Sequence, residues 1–400
     1  MTPAVQPAVR NASQPTPARP RPLRLGLRAI LAWRNLAHDK VRFVVTLVGI
    51  VFSFTLMAIQ SGLLLGFVVT ISKIVDRTEA DIWVVGRGVR SVDLPTAMPE
   101  RRRFQVMSID GVAEAQPYIH NFSLLKRPDG GAESVVVVGF DLASGIGRPW
   151  DVVEGRVEDL AIPDSAIIDR FYMPKLGVTH LGQVLEINEK RVRIVGFTEG
   201  IRTFTQSPHV FTDIKTARHL SNLGEERQNY VLVRVAPGHE PATVRDAIRA
   251  KIPEVDAYTR DEFAKRSYLY WLITTGAGFS LIIAAALGLI VGIVVTAQTL
   301  YATTMDRLPE YATMRAMGAP ASYLYGIILR QAAIAAVCGF GLGISIALFL
   351  VQGSKSGSAV ILMPWQLAAL LGSATFIMCV SAAMISIRRV MKIDPVSVFK

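Results

Sequence analysis

Side chains able to do chemistry are concentrated in two sets. The first is a polar run between two long apolar stretches, Asp306-Arg307-Leu308-Pro309-Glu310-Tyr311-Ala312-Thr313-Met314-Arg315-Ala316-Met317-Gly318-Ala319-Pro320. Glu310 to Ala319 reads as a short helix. Pro309 suits its first turn, where a missing N–H costs nothing, and Glu310 complements the helix dipole. Arg315 falls near the end, and Gly318 marks the stop. Such a rigid charged helix can pass a push from a soluble partner to the apolar stretches on either side. An ordinary solvated loop helix fits the same residues. The second set is His120, Asp169, His180, His209, His219 and His239. Their spacing matches neither a metal-ligand set nor a nucleophile elbow, so structural or solvated roles are expected. The run Arg101-Arg102-Arg103 is expected on a helix, mostly facing water, with contact to an anionic partner or lipid headgroup as the other reading. The chain has no Gly-Lys dipeptide, hence no GxxxxGK[ST] loop to cradle ATP phosphates. No catalytic, cofactor-binding or metal-binding residue is expected.

The elements that must position these residues are four nearly charge-free stretches. No Asp, Glu, Lys, Arg or His occurs in Phe43–Ser72, Ser267–Met305 or Met363–Ile387, and Ala321–Gln352 has only Arg330. Runs of this length read as transmembrane helices, because a helix satisfies its own backbone in lipid. The first and second runs exceed a bilayer. As one helix, Ser267–Met305 would extend ~58 Å and Phe43–Ser72 ~45 Å, against ~30 Å of hydrocarbon. Both are therefore expected to continue outward as a stalk; part of each run can instead be a turn, which makes these lengths upper limits. Tyr268, Tyr270 and Trp271 would mark the outer interface or the stalk, and Trp365 would open the fourth span. Glycine pairs at i, i+4 (Gly62 and Gly66, Gly288 and Gly292, Gly339 and Gly343) allow close helix packing, and a dimer would help bury such faces. Cys338 and Cys379 lie in spans and read as small packing residues.

The net charge of +11 is a topology signal rather than a nucleic-acid one. Arg10, Arg19, Arg21, Arg24, Arg28, Arg34, Lys40 and Arg42 precede the first span, and Arg388, Arg389, Lys392 and Lys400 follow the last. The positive-inside rule then puts both termini in the cytoplasm and Lys73–Arg266 outside. The expected organisation has residues 1–22 as a Pro-rich disordered tail and 23–42 as an amphipathic interfacial helix. Residues 43–72 and 267–305 are the first two spans with their stalks, flanking an outside domain at 73–266. The coupling segment is 306–320, the third span 321–352, an outside loop 353–362, the fourth span 363–387 and a basic tail 388–400. A leader this long and charged is no cleaved signal peptide, so the first span is expected to be a retained anchor.

Within the outside domain, strands are expected at Asp81–Gly86, Val112–Ile119, Ser134–Phe140, Tyr230–Val235 and Val255–Tyr258. A hairpin is expected from Gln183–Ile187 and Arg191–Phe197 across Asn188–Lys190, and helices at Pro99–Ser108 and Pro241–Lys251. This alternation points to two α/β subdomains, with the first and last units packed together because the chain leaves and re-enters the membrane there. The fold class is thus a four-span, 1 + 3 membrane helical protein with a large α/β domain inserted after the first span. No span contains Asp, Glu or His, which argues against a secondary transporter and an intramembrane metalloprotease. Arg330 can snorkel to the interface.

The sequence resembles the FtsX/MacB-type ABC transporter permeases. Asp306-Arg307 followed by Glu310, Arg315, Ala316, Gly318 and Ala319 is similar to that family's coupling segment. Ala32-Trp33-Arg34-Asn35-Leu36 resembles its N-terminal signature, and the basic tail with Asp394-Pro395 its C-terminal end. Ala80-Asp81-Ile82, Pro99–Phe104 and Val137–Asp141 look most like the DevC branch. The resemblance implies a non-catalytic permease subunit in a bacterial inner membrane. It implies a dimer of permease copies, identical or different, driven by a dimeric ABC ATPase on separate chains that binds the ATP. Motion would pass through the spans to the periplasmic domain, the mode called mechanotransmission. A HlyD-type periplasmic adaptor, an outer-membrane duct and membrane lipid are implied as partners, and nucleic acid is not. The alternatives are an FtsX-like regulator of a wall hydrolase, a lipoprotein-releasing permease and a sensing receptor.

Overall fold

The computed structural model describes residues 40–390, apart from 307, 311, 312, 314–316, 318, 319 and 355–359. The expected tail at 1–22, nearly all of the interfacial helix at 23–42, part of the 353–362 loop and the tail beyond Val390 lie outside the described residues.

Four helices are long and apolar enough to cross a membrane. They are α1 (Lys40–Asp76), α7 (Ala277–Asp306), α8 (Ala321–Ser354) and α9 (Trp365–Val390). Helix α1 is central: it packs along both α7 and α8, while α9 closes the bundle against α7 and α8. Its Ile50, Phe54, Met57 and Ala58 are buried among Ala332, Ala335, Ala336 and Ala347 of α8 and Met378 and Cys379 of α9. Small side chains on α8 let bulky ones on α1 fill the space, with Phe54 edge-on to Phe340 at 5.3 Å.

Between α1 and α7 the chain folds into an α/β domain. Its elements are β1 (Ile82–Gly86), β2 (Met98–Pro99), α2 (Arg101–Met107), β3 (Val112–Lys126), β4 (Ala132–Phe140), β5 (Val152–Glu154), β6 (Ser165–Asp169), α3 (Met173–Leu176), β7 (Val184–Ile187), β8 (Lys190–Thr198), β9 (His209–Asp213), α4 (Ile214–Leu220), β10 (Arg227–Gln228), β11 (Tyr230–Val235), α5 (Pro241–Lys251), β12 (Val255–Thr259) and α6 (Arg260–Leu269). A ten-stranded sheet runs β12-β1-β11-β3-β4-β9-β6-β8-β5, with β7 beside β3 and β8. Strand β1 lies between β11 and β12, so the first and last units do share a sheet. Strand β3 runs on past Ile119 to Lys126. Its first part pairs with β11 and its second with β4, so one strand ties the two halves together. Pro117 sits in the part that pairs with β11 and precedes the pairing with β4, where its missing N–H is tolerated. The hairpin turn is Asn188-Glu189, both at positive φ, as a two-residue loop between twisted strands requires.

Each half has its own outer core. One holds Val106, Val244 and Ile248 from α2 and α5; the other holds Leu176, Ala217 and Leu220 from α3 and α4. The opposite face of the sheet forms a single core across both halves. In it Trp83, Tyr118, Phe140, Phe211 and Tyr230 meet Ile74 and Val75 from the end of α1 and Phe263 from α6. The stalk is therefore part of the domain's core.

The second stalk contains a turn, the alternative its length left open. The run Ser267–Met305 is two pieces: α6 ends at Leu269, a π turn covers Tyr270–Thr274, and α7 begins at Ala277. Gly276, at φ 74°, breaks the helix. A left-handed residue cannot continue a right-handed helix, and glycine reaches that conformation without strain.

Candidate functional site

The polar segment starts where α7 ends. Asp306 is its last residue and is exposed; Leu308–Glu310 are helical, with Pro309 and Glu310 exposed. Thr313 donates its hydroxyl to Pro309 O at 2.8 Å, and Met317 N–H reaches Thr313 O at 3.0 Å. Met317 is 76% exposed. Asp306 and Glu310 fall at one end of the bundle. Arg307, Arg315, Gly318 and Ala319 lie outside the described residues.

All six span glycines are close-approach points within one copy of the chain. A Cβ on Gly339 or Gly343 would lie 2.4 Å from Ile50 or 2.6 Å from Phe54 of α1. On Gly288 it would meet Leu56, and on Gly292 Ser53 and Met378. Gly62 and Gly66 receive the segment leading into α9: Leu362 N–H donates to Gly62 O at 3.1 Å, and Val360 O lies against Gly66. The packing these glycines permit is already used inside the protomer, so they give no separate argument for a dimer.

At the other end of the bundle, two loops clasp the stalk. The loop after β1 lies on α6 and the π turn. Arg266 donates Nε to Val89 O at 3.1 Å, Val92 N–H reaches Ser267 Oγ at 3.1 Å, and Trp271 donates Nε1 to Ser91 Oγ at 3.1 Å. Ser91 in turn donates to Asp93, and Tyr230 donates to Val92 O at 2.8 Å. Burial pushes the Asp93 carboxyl up to about 7, against the pull of its hydrogen bond from Ser91. The loop between β8 and β9 takes hold of both stalks. Phe204 stacks edge-on against Phe67 of α1 at 5.2 Å and Trp271 at 4.8 Å. Lys73 donates to Gly200 O at 2.6 Å and lies over the Trp150 ring.

Asp169 anchors that loop. It accepts from Ile201 N–H at 2.7 Å, Thr198 Oγ1 at 3.2 Å and Phe171 N–H at 3.0 Å, which is a structural role. His120 and His209 meet edge-on at 5.5 Å in the sheet's stalk-facing core. Burial lowers His120 to about 4 and His209 well below its ordinary 6.5. Among the described residues no group of three or more His, Cys, Asp or Glu is placed to hold a metal. The Phe204 wedge and the histidine pair escaped sequence reasoning, because each joins residues far apart in the chain with no spacing signal.

Two family models cover the chain. The MacB-like periplasmic core domain matches residues 43–251, and the FtsX-like permease C-terminal domain matches 269–395. An ABC transporter permease of Mycobacterium tuberculosis is 24% identical over 371 residues, covering 92% of this chain and 98% of its own. One from Mycobacterium bovis is 27% identical over 386 residues, with the same coverage. Among solved structures, the periplasmic region of MacB from Actinobacillus actinomycetemcomitans aligns at 10% identity with a TM-score of 0.37, covering 48% of this chain and 96% of that one. The extracellular domain of the noncanonic ABC-type transporter YknZ from Gram-positive bacteria aligns at 12% identity and 0.34, covering 45% and 98%. With both family models in chain order around the junction just described, the chain belongs to the FtsX/MacB-type ABC transporter permeases.

Proposed function

We propose that this chain is the membrane subunit of an ATP-driven exporter that works by mechanotransmission. A separate ABC ATPase dimer closes on the 306–320 segment, with Asp306, Arg307, Glu310, Arg315, Gly318 and Ala319 forming the gripped surface. Both termini face the cytoplasm, as the basic flanks require, and the α/β domain works in the periplasm of a bacterial inner membrane. Two permease copies, identical or different, act together, with a HlyD-type adaptor and an outer-membrane duct completing a tripartite system.

One observation carries the reading: α1 runs without interruption from Lys40 to Asp76, and its last turn is built into the core that holds Trp83. At 1.5 Å per residue this is ~55 Å of helix, long enough to cross the hydrocarbon and still reach the domain. A displacement at its inner end cannot be absorbed by a loop before it reaches the sheet. Consistent with a lever rather than a pore, the four spans contain no Asp, Glu or His before the terminal Asp76 and Asp306.

The test reverses charge at Glu310 and Arg315 in separate variants. Each is expected to insert normally and to lose at least ~10-fold in ATP-dependent movement of spin labels on the domain, with ATP hydrolysis by the partner retained. Unchanged label movement in both variants would remove the coupling role. Purification of the complex with a wall hydrolase or lipoprotein chaperone, and no adaptor, would replace the tripartite assignment.

A further inference from the structure

Beside the broken stalk lies an open cleft of about 600 Å³ whose lining includes Arg90, Arg249, Tyr258, Glu262, Lys265 and Arg266. Its cations outnumber its carboxylates four to one. The single acid is already committed: Glu262 caps α6 through Thr259 N–H and pairs with Arg245. Arg249 donates Nε to Ala257 O at 2.7 Å and Arg266 donates Nε to Val89 O, which fixes both stems. Their guanidinium carbons then lie 4.9 and 5.0 Å from the Tyr258 ring centre. Arg90 and Lys265 are exposed and have neither an ion pair nor a hydrogen bond among the described residues. Two anchored and two free cations therefore converge, and among the described residues Arg249 alone of the four has an acid partner, Asp246 at 3.9 Å.

The cleft's other wall is apolar and continues into the membrane. Leu269 and Ile273 line it, Ile273 is 71% exposed, and Phe279 at the start of α7 is 63% exposed. Ala277 opens the spanning helix, so this wall stands at headgroup height. A cationic cleft joined to an apolar rail has the shape of an amphiphile, negative at one end and hydrocarbon at the other. We propose that it binds an anionic glycerophospholipid, its phosphate on Arg90, Lys265, Arg249 and Arg266 and an acyl chain along Leu269 and Ile273. Free phosphate matches only the cations and leaves the rail unused, and a neutral lipid matches only the rail.

The proposal is tested on the full chain in detergent by native mass spectrometry, titrating dioleoyl phosphatidylglycerol, diolein and inorganic phosphate. The expected order is phosphatidylglycerol bound at least ~10-fold more tightly than either diolein or phosphate. Each Lys or Arg near an anionic lipid contributes roughly a factor of five. An Arg90→Gln/Lys265→Gln double variant should thus bind phosphatidylglycerol on the order of 30-fold more weakly. The side chains removed make no internal bond, so the fold is kept. Arg191→Gln/Arg193→Gln, which removes two exposed cations from β8 instead, should bind as the parent does. Equal weakening in both double variants would reduce the effect to overall charge and overturn the site. So would equal affinity for phosphatidylglycerol and diolein, or for phosphatidylglycerol and free phosphate, or tighter binding of an oligoglutamate peptide.

Discussion

The two covalent links between bundle and domain are built differently. The outgoing link, α1, is one helix whose final turn supplies Ile74 and Val75 to the domain core. The returning link is α6, a π turn and α7, interrupted at Gly276. Both links are gripped by the same residue, Phe204, which touches Phe67 on one and Trp271 on the other. Two stiff rods joined at both ends would allow the domain only to translate with the bundle. One rod and one jointed strut, clasped at a common point, allow it to tilt. On the proposed mechanism, thrust would pass through α1 and the segment 270–276 would be the pivot.

The most severe way to break this asymmetry is to put a joint in the rod. Val69 is exposed on α1, so Val69→Pro removes little packing while deleting a helix hydrogen bond and clashing with the preceding turn. That costs about 3 kcal/mol or more. Urea unfolding of the full chain in detergent should show a loss of this size, and label movement on the domain should disappear even with partner ATPase bound. Retained movement would mean that thrust does not travel through α1.

How much of this was legible beforehand depends on what kind of signal each feature leaves. The spans were legible because lipid excludes charge, and charge-free runs are visible without knowing any neighbour. Tyr230–Val235 and Pro241–Lys251 have the expected bounds, because alternation and helix-start chemistry are local. The joint at Gly276 was not, since the break also carries no charge and glycine is common within spans. Strands β6 and β9 were missed for the same reason: Ser165–Asp169 and His209–Asp213 are short and nearly all buried, so they show no alternation. In the candidate site, Asp306 and Glu310 could be placed at the bundle's end by order along the chain alone. Phe204 could not, because nothing near it in sequence indicates that a loop after β8 would reach both stalks.

Acid sharpens the comparison, because the loop that clasps the jointed link carries a titrating group of opposite sign to the sheet core. His120 and His209 are lowered by burial, so between pH 5 and 6.5 the unfolded chain takes up their protons and the folded one does not. Each then destabilises the fold as pH falls, His120 by up to about 1.4 kcal/mol per pH unit. Asp93 is raised from 3.8 to about 7, so in the same window it is ionised only when unfolded. Its contribution is full below 3.8 and is lost as pH rises through about 7, which offsets one histidine. The two histidines outweigh the one carboxyl, so for these three groups stability rises as pH rises. Asp93→Asn should steepen that slope and His120→Phe should flatten it, both read from urea midpoints followed by near-ultraviolet circular dichroism. An Asp93→Asn slope equal to the parent's would place that carboxyl outside the folded unit and detach the β1 loop from the joint.

The mildest perturbation tests the pivot itself. Nothing lies within 4 Å of a Cβ built on Gly276, so Gly276→Ala meets no neighbour and acts only through its positive φ. The left-handed conformation costs an alanine about 1 kcal/mol, and straightening the turn would relieve it. Asparagine tolerates that conformation, so Gly276→Asn should stay close to the parent. The expected result is a loss of about 1 kcal/mol in the alanine variant and little change in the asparagine one. Hydrogen exchange at 270–276 should slow in the alanine variant as helical hydrogen bonds extend through the break. If thrust and pivot are divided as the two links imply, label movement should shrink in the alanine variant in proportion to that slowing. A slowed joint with undiminished movement would transfer the pivot to another part of the molecule, and the nearest candidate is the Phe204 clasp.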